Sequence, residues 1–200
     1  MRRPIRNHVW LVALLAVAPA STLLITGCRG CSLPSITITL PFGQNTPLNL
    51  PVPAGLPFED VVIPLGGENC EIEGLNDLIA QIQARAPQVL TNLIGIDRCI
   101  VDRIHFQADT GDFNFITELR FTIHVEGPGG PQDFELAATS DTGLGASFDL
   151  TSEEPLDLWA LVNGDAECIS GEITLSGVSP EEPVIFDTSL VLTIFPIFRP

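Results

Sequence analysis

The chain of 200 residues contains no lysine and no tyrosine, and arginine supplies all nine of its basic side chains. Against these stand 25 aspartate and glutamate residues, so the formal net charge is −16 at pH 7. Such an acidic surface repels the phosphates of nucleic acid and of anionic lipids, and we therefore expect no nucleic-acid partner. The absence of tyrosine also argues against a sugar-stacking face, where Tyr and Trp are the usual platforms.

Several sequence signatures of catalytic and metal sites are also missing. The sequence has no Gly-x-Ser-x-Gly turn, which disfavours a serine hydrolase of that kind. It has no Asp-x-Asp-x-Asp-Gly loop of the helix-loop-helix calcium proteins. Its only Cys-x-x-Cys spacing is Cys28–Cys31, and the other cysteines are too widely spaced to favour structural zinc. We therefore expect a protein that is not an enzyme.

The one long apolar run is at the N-terminus. Arg2, Arg3 and Arg6 precede an uncharged stretch over 9–25, which Pro19 interrupts. This stretch is short for a membrane span, which needs about 20 apolar residues. A positively charged N-terminal segment followed by a short apolar run is typical of an export signal.

The signal ends in Ile25-Thr26-Gly27-Cys28, which resembles the lipobox of bacterial lipoproteins. The resemblance implies that residues 1–27 are a signal peptide, cleaved before Cys28, and that the Cys28 sulfur carries a diacylglycerol anchor. The protein would then belong to the cell envelope, and to the outer membrane because Arg29, rather than Asp, follows the cysteine. The alternative is an ordinary secretory signal, with Cys28 as a plain thiol.

Residues 28–200 retain all 25 acidic residues but only six arginines, a formal charge of −19. We expect a lipid-anchored leash and Pro-rich extended arm over 28–66, with a short edge strand at 60–63. Six prolines between Pro41 and Pro64 rule out regular central strands there. The arm either stands the domain off the membrane or wraps it, and its apolar residues favour wrapping. The body over 67–200 is expected to form a single domain.

Four further cysteines, at positions 31, 70, 99 and 168, are disulfide candidates in an exported chain. Three pairings are possible, and spacing alone does not choose among them. The pairing that we favour joins Cys70 to Cys99 across the helical segment and Cys31 to Cys168.

The body is predicted to be mainly β: an antiparallel β-sandwich of about seven to eight short strands with one kinked helical segment over about 75–94. Pro87 is the expected kink, because it lacks the amide hydrogen of a helix interior. The clearest strand is 117–126, where apolar and polar residues alternate, as in a sheet with one buried and one wet face. Residues 156–162 are ambiguous between a strand and a helix that begins at Pro155.

Acidic turns supply the candidate oxygen ligands for structural calcium. The candidates are Asp109, Asp112, Asp141, Asn163 and Asp165. His105 and His124 lie on the polar faces of predicted strands and would form a metal site if those strands paired. Asp and Gly also make ordinary turns, so the same residues fit a surface without calcium.

These features predict a lipid-anchored cell-envelope protein that acts as a non-enzymatic binding or structural module, attached to the membrane through Cys28. Two alternatives remain open. One is a carrier for a small apolar ligand seated between helix and sheet. The other is a calcium-dependent module that recognises a glycan or a protein.

Overall fold

The structure is a computed structural model, and it describes residues 33–65, 70–87 and 94–198. The described residues form nine strands and two helices, and the strands build two antiparallel sheets, which confirms the predicted mainly β sandwich. The elements are β1 (Ile36–Pro41), β2 (Thr46–Pro47), β3 (Pro57–Leu65), α1 (Gly74–Arg85), β4 (Ile94–Thr110), β5 (Ile116–Glu126), β6 (Gln132–Thr139), β7 (Ser147–Asp157), α2 (Leu158–Asn163), β8 (Cys168–Val178) and β9 (Ile185–Phe198).

Sheet A has the strand order β1-β9-β4-β7, with β2 also paired to β9, and sheet B has the order β3-β8-β5-β6. The alternation of β5 occurs as predicted: Leu119, Phe121 and Ile123 are fully buried, and the residues between them face outward. The ring centroids of Phe106 on β4 and Phe121 on β5 are 6.2 Å apart. Because these strands belong to different sheets, the core lies between the two sheets.

The Pro-rich arm is part of the sandwich. Strand β1 pairs with β9, and β3 is a full nine-residue strand at the edge of sheet B. Leu48, Leu50 and Val52 pack against the core, as the wrapping interpretation requires. The predicted boundary between an arm ending at residue 66 and a domain beginning at 67 therefore separates strands of one fold.

The helix is shorter than predicted. Helix α1 ends at Arg85, and Ile94 already belongs to β4, so the expected kinked helix to residue 94 is wrong at its C-terminal end. The residue before a proline is pushed out of the α region, and Ala86, next to Pro87, has φ −138° and ψ 64°. Residues 88–93 lie outside the described ranges. Neither described helix has the length and hydropathy needed to cross a membrane.

The segment over 156–162, which the sequence left ambiguous, is divided between the end of β7 and helix α2. Pro155 belongs to β7, an edge strand where proline is tolerated. The helix instead begins after Asp157, whose carboxylate accepts hydrogen bonds from the amides of Trp159 and Ala160. The N-cap, rather than the proline, therefore sets the start of the helix.

The disulfide joins Cys70 to Cys168, whose Cα atoms are 5.5 Å apart. Both predicted pairings, Cys70–Cys99 and Cys31–Cys168, are therefore wrong. Cys99 is unpaired and fully buried in β4 of sheet A, whereas the disulfide lies beside sheet B, near the bridge between Ile72 and Ile169. Cys28 and Cys31 lie outside the described residues.

Candidate functional site

His105 and His124, the two histidines among the described residues, do not form a shared site. His105 is on β4 of sheet A and His124 is on β5 of sheet B, and both side chains face outward. They therefore lie on opposite faces of the sandwich, because the two sheets pack their inner faces together. Strands β4 and β5 belong to different sheets, so the condition for a metal site shared by the two histidines is not met.

His124 is held between two carboxylates on the outer face of sheet B. Its Nδ1 atom is 2.7 Å from Oδ1 of Asp133 on β6, and its Nε2 atom is 3.1 Å from Oε2 of Glu172 on β8. Carboxylates accept hydrogen bonds from both ring nitrogens only when the imidazole is doubly protonated. The side chain thus ties the edge strand β6 to β5 and β8.

The pKa of His124 reflects two opposing effects. Partial burial lowers it, since a charged ring loses solvation. The hydrogen bond to Asp133 and the negative charge of Glu172 raise it, and the net result is a pKa above the ordinary value for histidine. The arrangement therefore favours the charged form of the ring.

Arg120 continues this charged row along the outer face of sheet B. Its Nη2 atom is 2.5 Å from Oδ1 of Asp60, and its Nε atom is 3.7 Å from Oε1 of Glu118. Asp60 has φ 49°, an uncommon left-handed conformation at a bulge of edge strand β3. Sequence alternation placed Arg120 and His124 on the wet face, but their partners depend on strand register.

His105 lies in a row with Asp149 and Ser189 that crosses three strands of sheet A. Its Nδ1 atom is 2.7 Å from Oδ1 of Asp149, and Ser189 is its register partner on β9. No hydrogen bond joins the serine hydroxyl to the ring. All three residues lie within paired strands of sheet A.

The candidate calcium ligands fall into two groups at opposite ends of the sandwich. Asp109, Asp112 and Asp141 lie near the start of β5, where Asn114 Oδ1 accepts a hydrogen bond from the Gly145 amide. Asn163 and Asp165 line an open groove of about 690 Å³ near its other end. Strand β5 has 11 residues, or about 35 Å at about 3.4 Å per residue. The five candidates therefore cannot share one ion.

The carboxylate of Asp112, in the first group, is used within its own turn. Both carboxylate oxygens of Asp112 accept hydrogen bonds from Asn114, one from its backbone amide and one from its side chain. This turn-forming role is common for aspartate. In the described ranges, no three His, Cys, Asp or Glu side chains are grouped so that they could hold a metal ion.

The seam between helix and sheet is filled by side chains. Leu78 and Ile82 of α1 are fully buried and join the same core cluster as Ile72 and Phe42. A more open space is the groove of about 380 Å³ between β2 and β3, with Gln44 and other polar residues on one wall and Val62 and Pro64 on the other. This groove is at the side of the sandwich, away from the predicted ligand site.

The chain matches no protein-family model and no curated protein sequence.

Proposed function

We propose that this chain is a lipid-anchored protein of the cell envelope, and that its β-sandwich is a non-enzymatic binding or structural module. The observation that carries the proposal is the lipobox-like segment at residues 25–28, followed at once by a disulfide-bonded sandwich. A disulfide such as Cys70–Cys168 supports export, because these bonds persist in oxidising compartments. Arg29 after Cys28 favours the outer membrane.

The geometry of the polar side chains supports a module without catalysis. A general acid or base needs a position in a cleft beside the reacting group. Here both histidines lie on the outer faces of sheets and are already paired with carboxylates. The sandwich, in a chain with a formal net charge of −16, is instead suited to present its outer surface to a partner. We propose that this partner is a protein of the envelope, and that nucleic acid is not bound.

The two alternatives have less support. A carrier for an apolar ligand needs space between helix and sheet, where Leu78 and Ile82 fill the seam. Calcium-dependent recognition needs convergent oxygen ligands, whereas the candidates are divided between two ends of the molecule.

The anchor is tested by expressing the full chain with an alkyne-tagged fatty acid in a bacterium that modifies lipoproteins. We expect the wild type and a Cys31→Ser variant to carry the label and to float with membranes, because only Cys28 directly follows the proposed cleavage site. A Cys28→Ala variant should lose both properties. Labelling that persists without Cys28 would overturn the anchor assignment.

The absence of catalysis needs a separate test. The purified protein should turn over no substrate in a panel of esters, glycosides and peptides. Turnover that disappears in a His105→Gln or His124→Gln variant, with the fold intact, would refute the non-enzymatic part of the proposal.

A further inference from the structure

The start of β1 marks the end of sheet A that is nearest to Cys28 along the chain. Ile36, the first residue of β1, pairs with Ile194 on β9 and is eight residues beyond Cys28. A fully extended segment of that length reaches at most about 28 Å. An acyl group at Cys28 would therefore keep this end of sheet A close to the bilayer. The inference that follows rests on the proposed lipid anchor.

This end of sheet A carries an apolar patch on its outer face. Ile197 is 39% exposed, whereas most large apolar side chains of the described residues are buried or half-buried, and Phe195 lies two residues before it on β9. The guanidinium of Arg98 lies over the Phe195 ring, 4.4 Å from its centroid. We call Arg98, Phe195 and Ile197 the anchor-side patch.

The chemistry of this patch fits a lipid headgroup layer. An arginine beside exposed apolar groups can reach a phosphate while the apolar groups enter the acyl boundary. Asp97 and Asp102 border the patch, and Asp97 lies 3.7 Å from Arg98. These carboxylates disfavour an anionic surface, so the fitting surface is a zwitterionic phospholipid.

The rest of the same end is less suited to contact a bilayer. Its sheet B side carries the carboxylates of Glu126, Asp165 and Glu167, which are exposed to solvent. Burying these charges against lipid would cost much more than burying the patch. We propose that the anchor-side patch rests in the interfacial layer of a zwitterionic bilayer, so that the tethered sandwich has one preferred orientation.

Single-tryptophan fluorescence can test this contact, because Trp159 is the only tryptophan after the signal segment. The probe variant carries Phe195→Trp with Trp159→Phe. The matched control carries Leu56→Trp with Trp159→Phe, since Leu56 is 49% exposed and lies at the other end of the sandwich. Both acylated proteins are reconstituted into phosphatidylcholine vesicles that contain lipids brominated near the headgroup.

We expect the emission of the Phe195→Trp probe to fall at least about two-fold, because interfacial side chains enter about 5–10 Å into the boundary layer. The Leu56→Trp control should keep its emission. An added Ile197→Asp substitution should relieve the quenching of the probe without releasing the protein from the vesicles. Equal emission from probe and control on vesicle-bound protein would overturn the inference.

Hydrogen exchange of the wild-type protein provides a second measurement if the probe variant does not fold. Amides of residues 94–98 and 195–198 should exchange more slowly on vesicles than in detergent. Unchanged exchange, or slowing that depends on protein concentration as in a dimer, would refute bilayer contact. If the proposed lipid anchor were absent, the result would differ, because the protein would lack acyl mass and would not float with vesicles.

Discussion

Gly171 packs closely against the core, so a substitution at this position tests the packing of the core directly. It lies on β8, opposite Leu65 of β3 and Ile123 of β5. A Cβ atom added at Gly171 would be only 2.4 Å from Cε1 of Phe42, with two more atoms of that ring within 3.4 Å. Phe42 is fully buried and packs against Phe121 at 6.2 Å between ring centroids. A Gly171→Ala substitution must therefore displace a ring that has little room to move.

The expected cost follows from two opposing effects. Overpacking a filled core costs about 1–3 kcal/mol. Replacing glycine also lowers the conformational entropy of the unfolded chain, which raises the free energy of unfolding by about 0.4–1 kcal/mol. We therefore expect Gly171→Ala to lower the free energy of unfolding by about 1–2 kcal/mol, or the Tm by several degrees in a domain of this size. Gly129→Ala is the control, because nothing lies within 4 Å of its added Cβ.

Urea unfolding with the disulfide intact measures both variants. The Phe42→Leu background provides a further check, because a smaller side chain should reduce the cost of Gly171→Ala by at least about 0.5 kcal/mol of coupling. The packing argument is refuted if Gly171→Ala has the urea midpoint of the wild type. It is equally refuted if its cost is the same with phenylalanine and with leucine at position 42.

Three further predictions concern other contacts, each measured by urea unfolding. Removing the disulfide through Cys70→Ala with Cys168→Ala should cost about 2–5 kcal/mol, because the bond spans a sequence separation of 98; reductant should then have no added effect. Charged His124 should stabilise the wild type fully below its unfolded-state pKa of about 6.5, and this stabilisation is lost as pH rises through its raised folded-state pKa. His124→Gln should therefore be less stable than the wild type at low pH, and the difference should shrink as pH rises. His105→Gln, which removes a histidine with one carboxylate contact, is the control. Asp157→Ala should cost about 1–2 kcal/mol, because it removes the cap of α2 and an acceptor for one amide of β4.

The outcomes that would contradict these predictions are specific. A wild-type midpoint that does not respond to reductant would contradict the role of the disulfide. If the stability of wild type and His124→Gln changed with pH in parallel, this would contradict the stabilising role of the His124 contacts with Asp133 and Glu172. An Asp157→Ala variant as stable as Asp157→Asn, which keeps an oxygen acceptor, would contradict the capping argument.

Local patterns predicted the strands well because their causes are local. Alternation of apolar and polar residues follows from the two faces of a strand, so the inward set of β5, from Leu119 to Val125, could be read directly. The end of α1 was missed although Pro87 was recognised, because the apolar residues beyond it continued the helical spacing. The segment over 156–162 stayed ambiguous because edge strands, which tolerate a proline such as Pro155, are known only once the sheet is assembled.

The candidate sites were less predictable, because each requires residues distant in sequence to meet. Asp133 and Glu172 contact His124 only through the registers of β6 and β8 on β5. The turns were predicted to bind calcium because they are rich in aspartate and asparagine, yet the length of β5 separates Asp112 from Asp165. Cys99 and Cys70 are closer in sequence than Cys168 and Cys70, but sequence separation does not measure distance in space.

The amino-acid sequence by itself determined the mainly β class, the acidic surface, the wet and buried faces of the strands and the expectation of an exported, lipid-anchored chain. These properties depend on composition, short-range periodicity and a contiguous signal. Only the tertiary structure decided the sheet order, the Cys70–Cys168 bond, the separation of the two histidines and the patch at the anchor side. Each of these depends on strand register and on the packing of the two sheets, which bring distant residues together.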